Sequence, residues 1–165
     1  MRRVLRVASV LSWINLIIWG FMSLLLLLSA LTIGPFALVA AILFGAIPLN
    51  CYAALRLHKS IRQPAVGLSH QTPAGIRFVG FAAMFFGILI ISNAFTALLH
   101  PATFLESMRQ VYAQSNWKNN PPVSAAFARN VSITMLLLGI AVVVNVQLNF
   151  RLLRWYYLVQ KSDAP

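Results

Sequence analysis

The chain has 165 residues, of which 60% are hydrophobic and only 9% are charged. A soluble domain carries about 25% charged residues, so a surface facing water on all sides is excluded, and lipid is expected to be the solvent for much of this chain. The net charge is +11, but the bases lie at the ends of apolar runs, which is typical of topology determinants and contacts with anionic head groups. We therefore predict lipid partners, including anionic head groups at the cytoplasmic face, and no nucleic-acid partner.

Four apolar runs are long enough to cross a bilayer, which takes about 20 residues. They cover residues 10–31, 35–55, 76–99 and 130–150. Pro35 fits the first turn of a helix, where a missing N–H costs little, and Thr72-Pro73 is a cap followed by proline. The sequence predicts an all-α four-transmembrane-helix bundle forming a single domain over residues 1–165, with a cytoplasmic loop at 56–75 and an outer loop at 100–129. The basic start also resembles a signal peptide, but the apolar region of a signal is only about 7–15 residues long.

The distribution of lysine and arginine sets the predicted orientation, because these residues are retained on the cytoplasmic side. The outer loop carries three bases, Arg109, Lys118 and Arg129. The other ten of the 13 flank the opposite ends of the runs: Arg2, Arg3, Arg6, Arg56, Lys59, Arg62, Arg77, Arg151, Arg154 and Lys161. This asymmetry predicts a multi-pass protein with both termini in the cytoplasm, in a bacterial-type inner membrane or a plasma membrane.

The outer loop contains a second, shorter helical pattern. Its apolar side chains recur at three- and four-residue spacings, at Phe104, Leu105, Met108, Val111 and Tyr112. Polar side chains occupy the other positions between them. The pattern predicts a short amphipathic helix on the outer membrane surface, acting as a cap over the bundle or as a docking surface for a partner.

Small residues recur at helical spacing on two of the predicted spans. They are expected to let neighbouring helices approach closely in lipid, either within one bundle or along the seam of a homo-oligomer. The predicted packing seams are Ala37, Ala41 and Gly45 on the second span, and Gly80, Ala83 and Gly87 on the third.

Polar residues within the spans are grouped on particular faces, and lipid offers them no partners. Two interpretations stay open: interhelical hydrogen bonds, or a cavity for a ligand or lipid head group. The candidate cavity residues are Asn15, Ser92, Asn93, Thr96, His100, Asn130, Thr134, Asn145 and Asn149.

The residues needed for catalysis or metal binding are sparse. The only acidic residues, Glu106 and Asp163, lie outside the spans, so paired-carboxylate chemistry is not expected. His58 and His100 are predicted at opposite membrane surfaces, roughly 30 Å apart, and His58 could meet His70 only outside the bilayer. We therefore predict no catalytic residue, no metal site, and no haem or other cofactor.

These observations favour a non-catalytic accessory, assembly or scaffolding protein with a protein partner or a second copy of itself. One alternative is a small transporter or channel-like protein that binds a neutral or lipidic ligand in the polar cavity. A second alternative is a quinone-binding redox subunit, because quinone sites need few specific residues.

Overall fold

A computed structural model describes residues 2–33, 35–63, 68, 72–114 and 124–162. Within them the chain forms five helices: α1 (Arg2–Ile33), α2 (Pro35–Arg62), α3 (Thr72–Leu99), α4 (Pro101–Gln114) and α5 (Ala125–Ser162). No strand occurs in these residues. Helices α1, α2, α3 and α5 are long and apolar enough to cross a membrane, which confirms the predicted all-helical chain with four long apolar helices.

The helices extend beyond the apolar runs that predicted them. Helix α1 begins at Arg2 rather than at residue 10, α2 continues to Arg62 rather than ending at 55, and α5 continues to Ser162 rather than ending at 150. The length of an apolar run corresponds to the thickness of the hydrocarbon layer. The backbone hydrogen bonds of the helix continue beyond that run where the next residues are good helix formers such as arginine, lysine and leucine.

Both predicted loops therefore contain helix. The last turns of α2 and the start of α3 lie within residues 56–75, and α4 occupies the first half of residues 100–129. Several predicted features fall outside the described part of the chain, namely His70, Lys118, Asp163 and the side chains of Arg2, Ala37, Val111, Tyr112 and Lys161.

The chain divides into two compact units, of which unit 1 comprises Met1–Phe86 and Ala141–Pro165. Unit 1 contains α1, α2, the first half of α3 and the second half of α5. Its apolar core is formed by residues from these four helices: Ala8, Leu57, Ile76, Leu152 and Leu153. Trp19 of α1 also stacks on Phe44 of α2, with ring centroids 5.8 Å apart. Contacts from all four helices thus fix the site described below.

Unit 2 comprises Gly87–Ile140 and contains the second half of α3, α4 and the first half of α5. Ser124 caps α5, since its Oγ accepts a hydrogen bond from the N–H of Phe127 at 3.1 Å. Within this unit α3 and α5 approach closely at Gly139. A Cβ atom at this position would lie 2.8 Å from Cγ1 of Ile91 and 3.2 Å from the carbonyl oxygen of Gly87. Gly139 is therefore required for the close approach of the two backbones.

Gly139→Ala is expected to lower the free energy of unfolding by about 1–3 kcal/mol, because an added methyl group overpacks the contact and a backbone carbonyl cannot yield. The measurement is thermal or denaturant unfolding in detergent micelles. Gly45→Ala is the matched control, because a Cβ at Gly45 meets no atom within 4 Å. Equal effects of the two substitutions would contradict the packing described here.

Candidate functional site

Seven side chains form a buried polar cluster in unit 1. They come from α1, α2 and α5, and each is at most 2% exposed: Ser12, Asn15, Asn50, Cys51, His58, Asn145 and Asn149. Spacings of three and four residues put Ser12 with Asn15, and Asn145 with Asn149, on single helix faces. Sequence periodicity therefore groups these polar residues on single helix faces, and those faces are buried.

Asn145 joins three helices through its amide group. Ser12 Oγ on α1 donates a hydrogen bond to Asn145 Oδ1 at 2.9 Å. Asn145 Nδ2 donates to Cys51 Sγ on α2 at 3.4 Å. Both polar atoms of this amide are therefore partnered, and the two bonds hold α1 and α2 against α5.

A second contact in the cluster links α2 to α5. His58 Nε2 lies 3.0 Å from Asn149 Oδ1. Because an amide oxygen only accepts hydrogen bonds, Nε2 carries the hydrogen in this pair. The imidazole of His58 is held by this one bond, and His58 Nδ1 has no partner in the described residues.

Further polar atoms in unit 1 are buried without a hydrogen-bond partner in the described part of the chain. The Nδ2 of Asn15 reaches the carbonyl oxygen of Ala141 only at 3.4 Å. The unpartnered atoms are Asn15 Oδ1, Trp19 Nε1, Ser23 Oγ, both amide atoms of Asn50, His58 Nδ1 and Asn149 Nδ2. Buried groups of this kind are usually satisfied by ordered water or by a polar group of a ligand.

The nine candidate cavity residues separate into two groups. Three of them, Asn15, Asn145 and Asn149, belong to the buried polar cluster. The other six are exposed on unit 2: Ser92, Asn93, Thr96, His100, Asn130 and Thr134. Among these, Thr96 Oγ1 donates to the carbonyl oxygen of Ser92 in its own helix at 2.9 Å. The grouping of all nine in one cavity stays a prediction.

The candidate list omitted four members of the cluster: Ser12, Asn50, Cys51 and His58. Ending the second span at residue 55 placed His58 in a loop, whereas α2 extends beyond it. Once the helix is continued to Arg62, the spacing of seven residues places His58 near the face of Cys51. The seven-residue spacing between Cys51 and His58 is therefore the feature of the sequence that could have identified His58.

The predicted small-residue seams differ between the two helices. On α3, a Cβ at Gly80 would lie 2.6 Å from Phe150 Cε1 of α5, so a larger residue at this position would displace the Phe150 ring. Ala83 and Gly87 are buried as well. On α2, Ala41 is buried, but a Cβ at Gly45 would meet nothing within 4 Å.

Two grooves open at the basic ends of the unit 1 helices. The α1–α2 groove has a volume of about 440 Å³. It is lined by Ser9, Trp13, Leu16, Tyr52, Leu55, Arg56, His58, Lys59, Arg62 and Gln63. The α3–α5 groove, of about 500 Å³, is lined by Arg77, Phe81, Phe150, Leu153, Arg154, Tyr157 and Leu158. Each groove therefore combines cationic and aromatic side chains with an aliphatic wall.

Arginine and tyrosine side chains hold one another in both grooves. In the α1–α2 groove, Arg56 Nη2 donates to the hydroxyl oxygen of Tyr52 at 2.7 Å, and its guanidinium carbon lies 5.3 Å from the ring centroid. In the α3–α5 groove, the guanidinium carbon of Arg77 lies 5.7 Å from the ring centroid of Tyr157. These distances are in the range of cation–π contacts.

The fold and site define an all-helical protein with four helices able to cross a membrane, a buried polar cluster and basic grooves. Comparison of the chain with family models, with curated proteins and with solved structures gives no match. No group of three or more histidine, cysteine or acidic residues that could hold a metal occurs in the described residues.

Proposed function

We propose that this protein is a non-catalytic, multi-pass membrane protein that acts through helix–helix and lipid contacts as an accessory, assembly or scaffolding component. The observation that carries the proposal is the small share of each apolar helix that is buried within the chain, between 17% and 28% of the most apolar window. Large apolar side chains point outward on all four helices, among them Ile17, Ile42, Phe78 and Leu137. Such a surface needs lipid or apolar faces of partner helices to cover it.

The proposed orientation has both termini in the cytoplasm and the α3–α4 end outside. The charge asymmetry of the sequence supports it, because ten of the 13 bases would then be cytoplasmic. In this orientation α4 is an amphipathic helix on the outer surface. Its Phe104, Leu105 and Met108 are half-buried, while Glu106 and Arg109 are exposed, which fits a helix with one apolar side.

The face of α3 with large aromatic side chains is the best place to look for a protein partner. Phe78, Phe81 and Phe85 are between 58% and 80% exposed, whereas Ala83 on the small-residue face is buried. Aromatic side chains are enriched in the buried centres of protein interfaces. The proposed partner, another membrane chain or a second copy, would cover this face.

The test is photo-crosslinking in native membranes with a reactive amino acid at Phe81 or Phe85. A discrete protein adduct, identified by mass spectrometry, is the expected result. Ile17, which is 65% exposed on α1, is the matched control position and is expected to give mainly lipid adducts. Lipid adducts at all three positions, together with substrate turnover by the purified chain alone, would overturn the proposal.

The runner-up is a small transporter or channel-like protein with a neutral or lipidic ligand. One observation favours it, namely the buried atoms of Asn15, Asn50 and Asn149 that have no hydrogen-bond partner among the described residues of unit 1. Polar groups of a ligand or of ordered water would satisfy them. Solute flux in liposomes that is lost in Asn15→Leu and Asn50→Leu would support this function over the first.

A further inference from the structure

The α1–α2 groove has the charge of an anion site. Arg56, Lys59 and Arg62 all line it, and all three are exposed. The described part of unit 1 contains no aspartate or glutamate, since Glu106 belongs to unit 2. Among the described residues, therefore, no carboxylate of the same unit neutralises the positive charge in this groove, and an anionic occupant is complementary to it.

The same groove also has an apolar wall that a soluble anion would not need. Leu16 and Leu55 are half-buried, and Trp13 and Tyr52 are 54% and 52% exposed. Tryptophan and tyrosine at such positions are typical of the membrane interface, where one end of the side chain is apolar and the other is polar. The cations and the aliphatic side chains thus form one continuous amphipathic surface.

Two side chains that line the groove, Arg56 and His58, are held in place by hydrogen bonds. Arg56 is tied to Tyr52 by two hydrogen bonds to one hydroxyl oxygen, at 2.7 and 3.2 Å. The groove wall also includes His58, which is fixed by Asn149 in the buried polar cluster. Ordering side chains before a ligand binds reduces the entropy that binding must overcome.

We propose that the α1–α2 groove is a specific site for an anionic membrane phospholipid. The headgroup phosphate binds Lys59, Arg62 and Arg56, and the start of an acyl chain lies against Trp13, Leu16 and Leu55. This inference rests on the proposed membrane function and names one lipid class for it. The volume of about 440 Å³ lies within the range of small-ligand sites, so the groove holds a headgroup and the first part of one chain.

The experiment uses the full chain in nanodiscs containing equal amounts of phosphatidylglycerol and phosphatidylcholine. After transfer to mild detergent, native mass spectrometry measures the ratio of the two lipids retained. The wild type is expected to retain phosphatidylglycerol preferentially. Lys59→Gln with Arg62→Gln is expected to reduce this preference roughly thirtyfold, because the two bases together contribute about 2 kcal/mol near an anionic surface.

The matched control is Arg3→Gln with Arg151→Gln, which removes the same charge from exposed bases that do not line the groove. The control is expected to keep the wild-type preference within about twofold, since these bases act only through general attraction. An equal loss in both double variants would mean that the preference is non-specific and would overturn the site. Lys59→Arg retains the charge and is expected to retain the preference, which guards against a folding defect.

The same native mass spectrometry experiment distinguishes a lipid from a soluble anion as the occupant of the groove. Glycerol 3-phosphate added in excess is expected not to displace the lipid, because it lacks the chain that contacts the apolar wall. Complete displacement would assign the groove to a soluble anion and overturn the lipid proposal. The crosslinking test at Phe81 and Phe85 measures a different surface from the lipid ratio. A negative crosslinking result would therefore not change the expected lipid ratio, and the two proposals fail independently.

Discussion

Replacing Asn145 with leucine is expected to lower the free energy of unfolding by about 2 kcal/mol. Leucine has the same branched shape, so the substitution removes two hydrogen bonds with little change in packing. It leaves Ser12 Oγ buried without its acceptor and removes the contact with Cys51. An interhelical bond in a membrane protein averages about 0.6 kcal/mol, and the orphaned Ser12 hydroxyl adds a desolvation cost. The measurement is reversible unfolding in detergent or bicelles.

Two leucine substitutions at other asparagines serve as controls for Asn145. Asn130 is on the same helix but is exposed, so Asn130→Leu is expected to change the stability by less than about 0.5 kcal/mol. Asn50 is buried with neither amide atom partnered in the described residues, so Asn50→Leu is expected to be neutral or stabilising. A cost at Asn50 equal to that at Asn145 would reveal a water, ligand or partner on the Asn50 amide.

The sequence predicted the four long helices because hydropathy over about 20 residues is set by the solvent, not by the neighbours of a helix. Helix ends were predicted less well for the same reason. Residues 2–9 and 151–162 are too polar to count as apolar run, yet they continue α1 and α5 as regular helix. Hydropathy predicts the part of a helix that lies in the hydrocarbon layer. The helix itself continues as far as its backbone hydrogen bonds do.

The candidate cavity residues lie in two different environments, and the cavity itself stays a prediction. Asn15, Asn145 and Asn149 were identified because an amide in a span needs a partner, and all three are buried. The same argument was applied to Ser92, Asn93 and Thr96, which are exposed on unit 2. Periodicity gives the face of a helix that carries polar groups, but it does not say which neighbouring helix, if any, covers that face.

The basic residues illustrate a further limit of sequence reasoning. Counted by position, Arg56, Lys59 and Arg62 predict the orientation of the chain and a general contact with anionic head groups. In three dimensions they line one groove with Trp13 and Tyr52. Trp13 is 39 residues from Tyr52 in the chain, and only the pairing of α1 with α2 brings both to the same groove. A residue that predicts the orientation of the chain can therefore also line a groove.

The His58–Asn149 pair yields the second large expected effect. Asn149→Leu alone is expected to destabilise the protein by about 1–2 kcal/mol, because it leaves both ring nitrogens of a 2%-exposed imidazole without a partner in the described part of the chain. The double variant His58→Leu with Asn149→Leu is expected to recover most of that loss, since removing both members of a buried polar pair can be nearly neutral. The unfolding free energies of the two single variants, the double variant and the wild type complete a double-mutant cycle.

Recovery in the double variant separates two roles for His58. A coupling of about 1 kcal/mol or more between the two positions means that the imidazole is held mainly by Asn149. A double variant no more stable than Asn149→Leu would mean instead that His58 has another partner, and the α1–α2 groove it lines is where that partner would bind. Repeating the cycle in micelles with and without phosphatidylglycerol then tests whether a lipid in the groove is that partner. A coupling energy between His58 and Asn149 that changes when the anionic lipid is added would link the buried polar cluster to the α1–α2 groove.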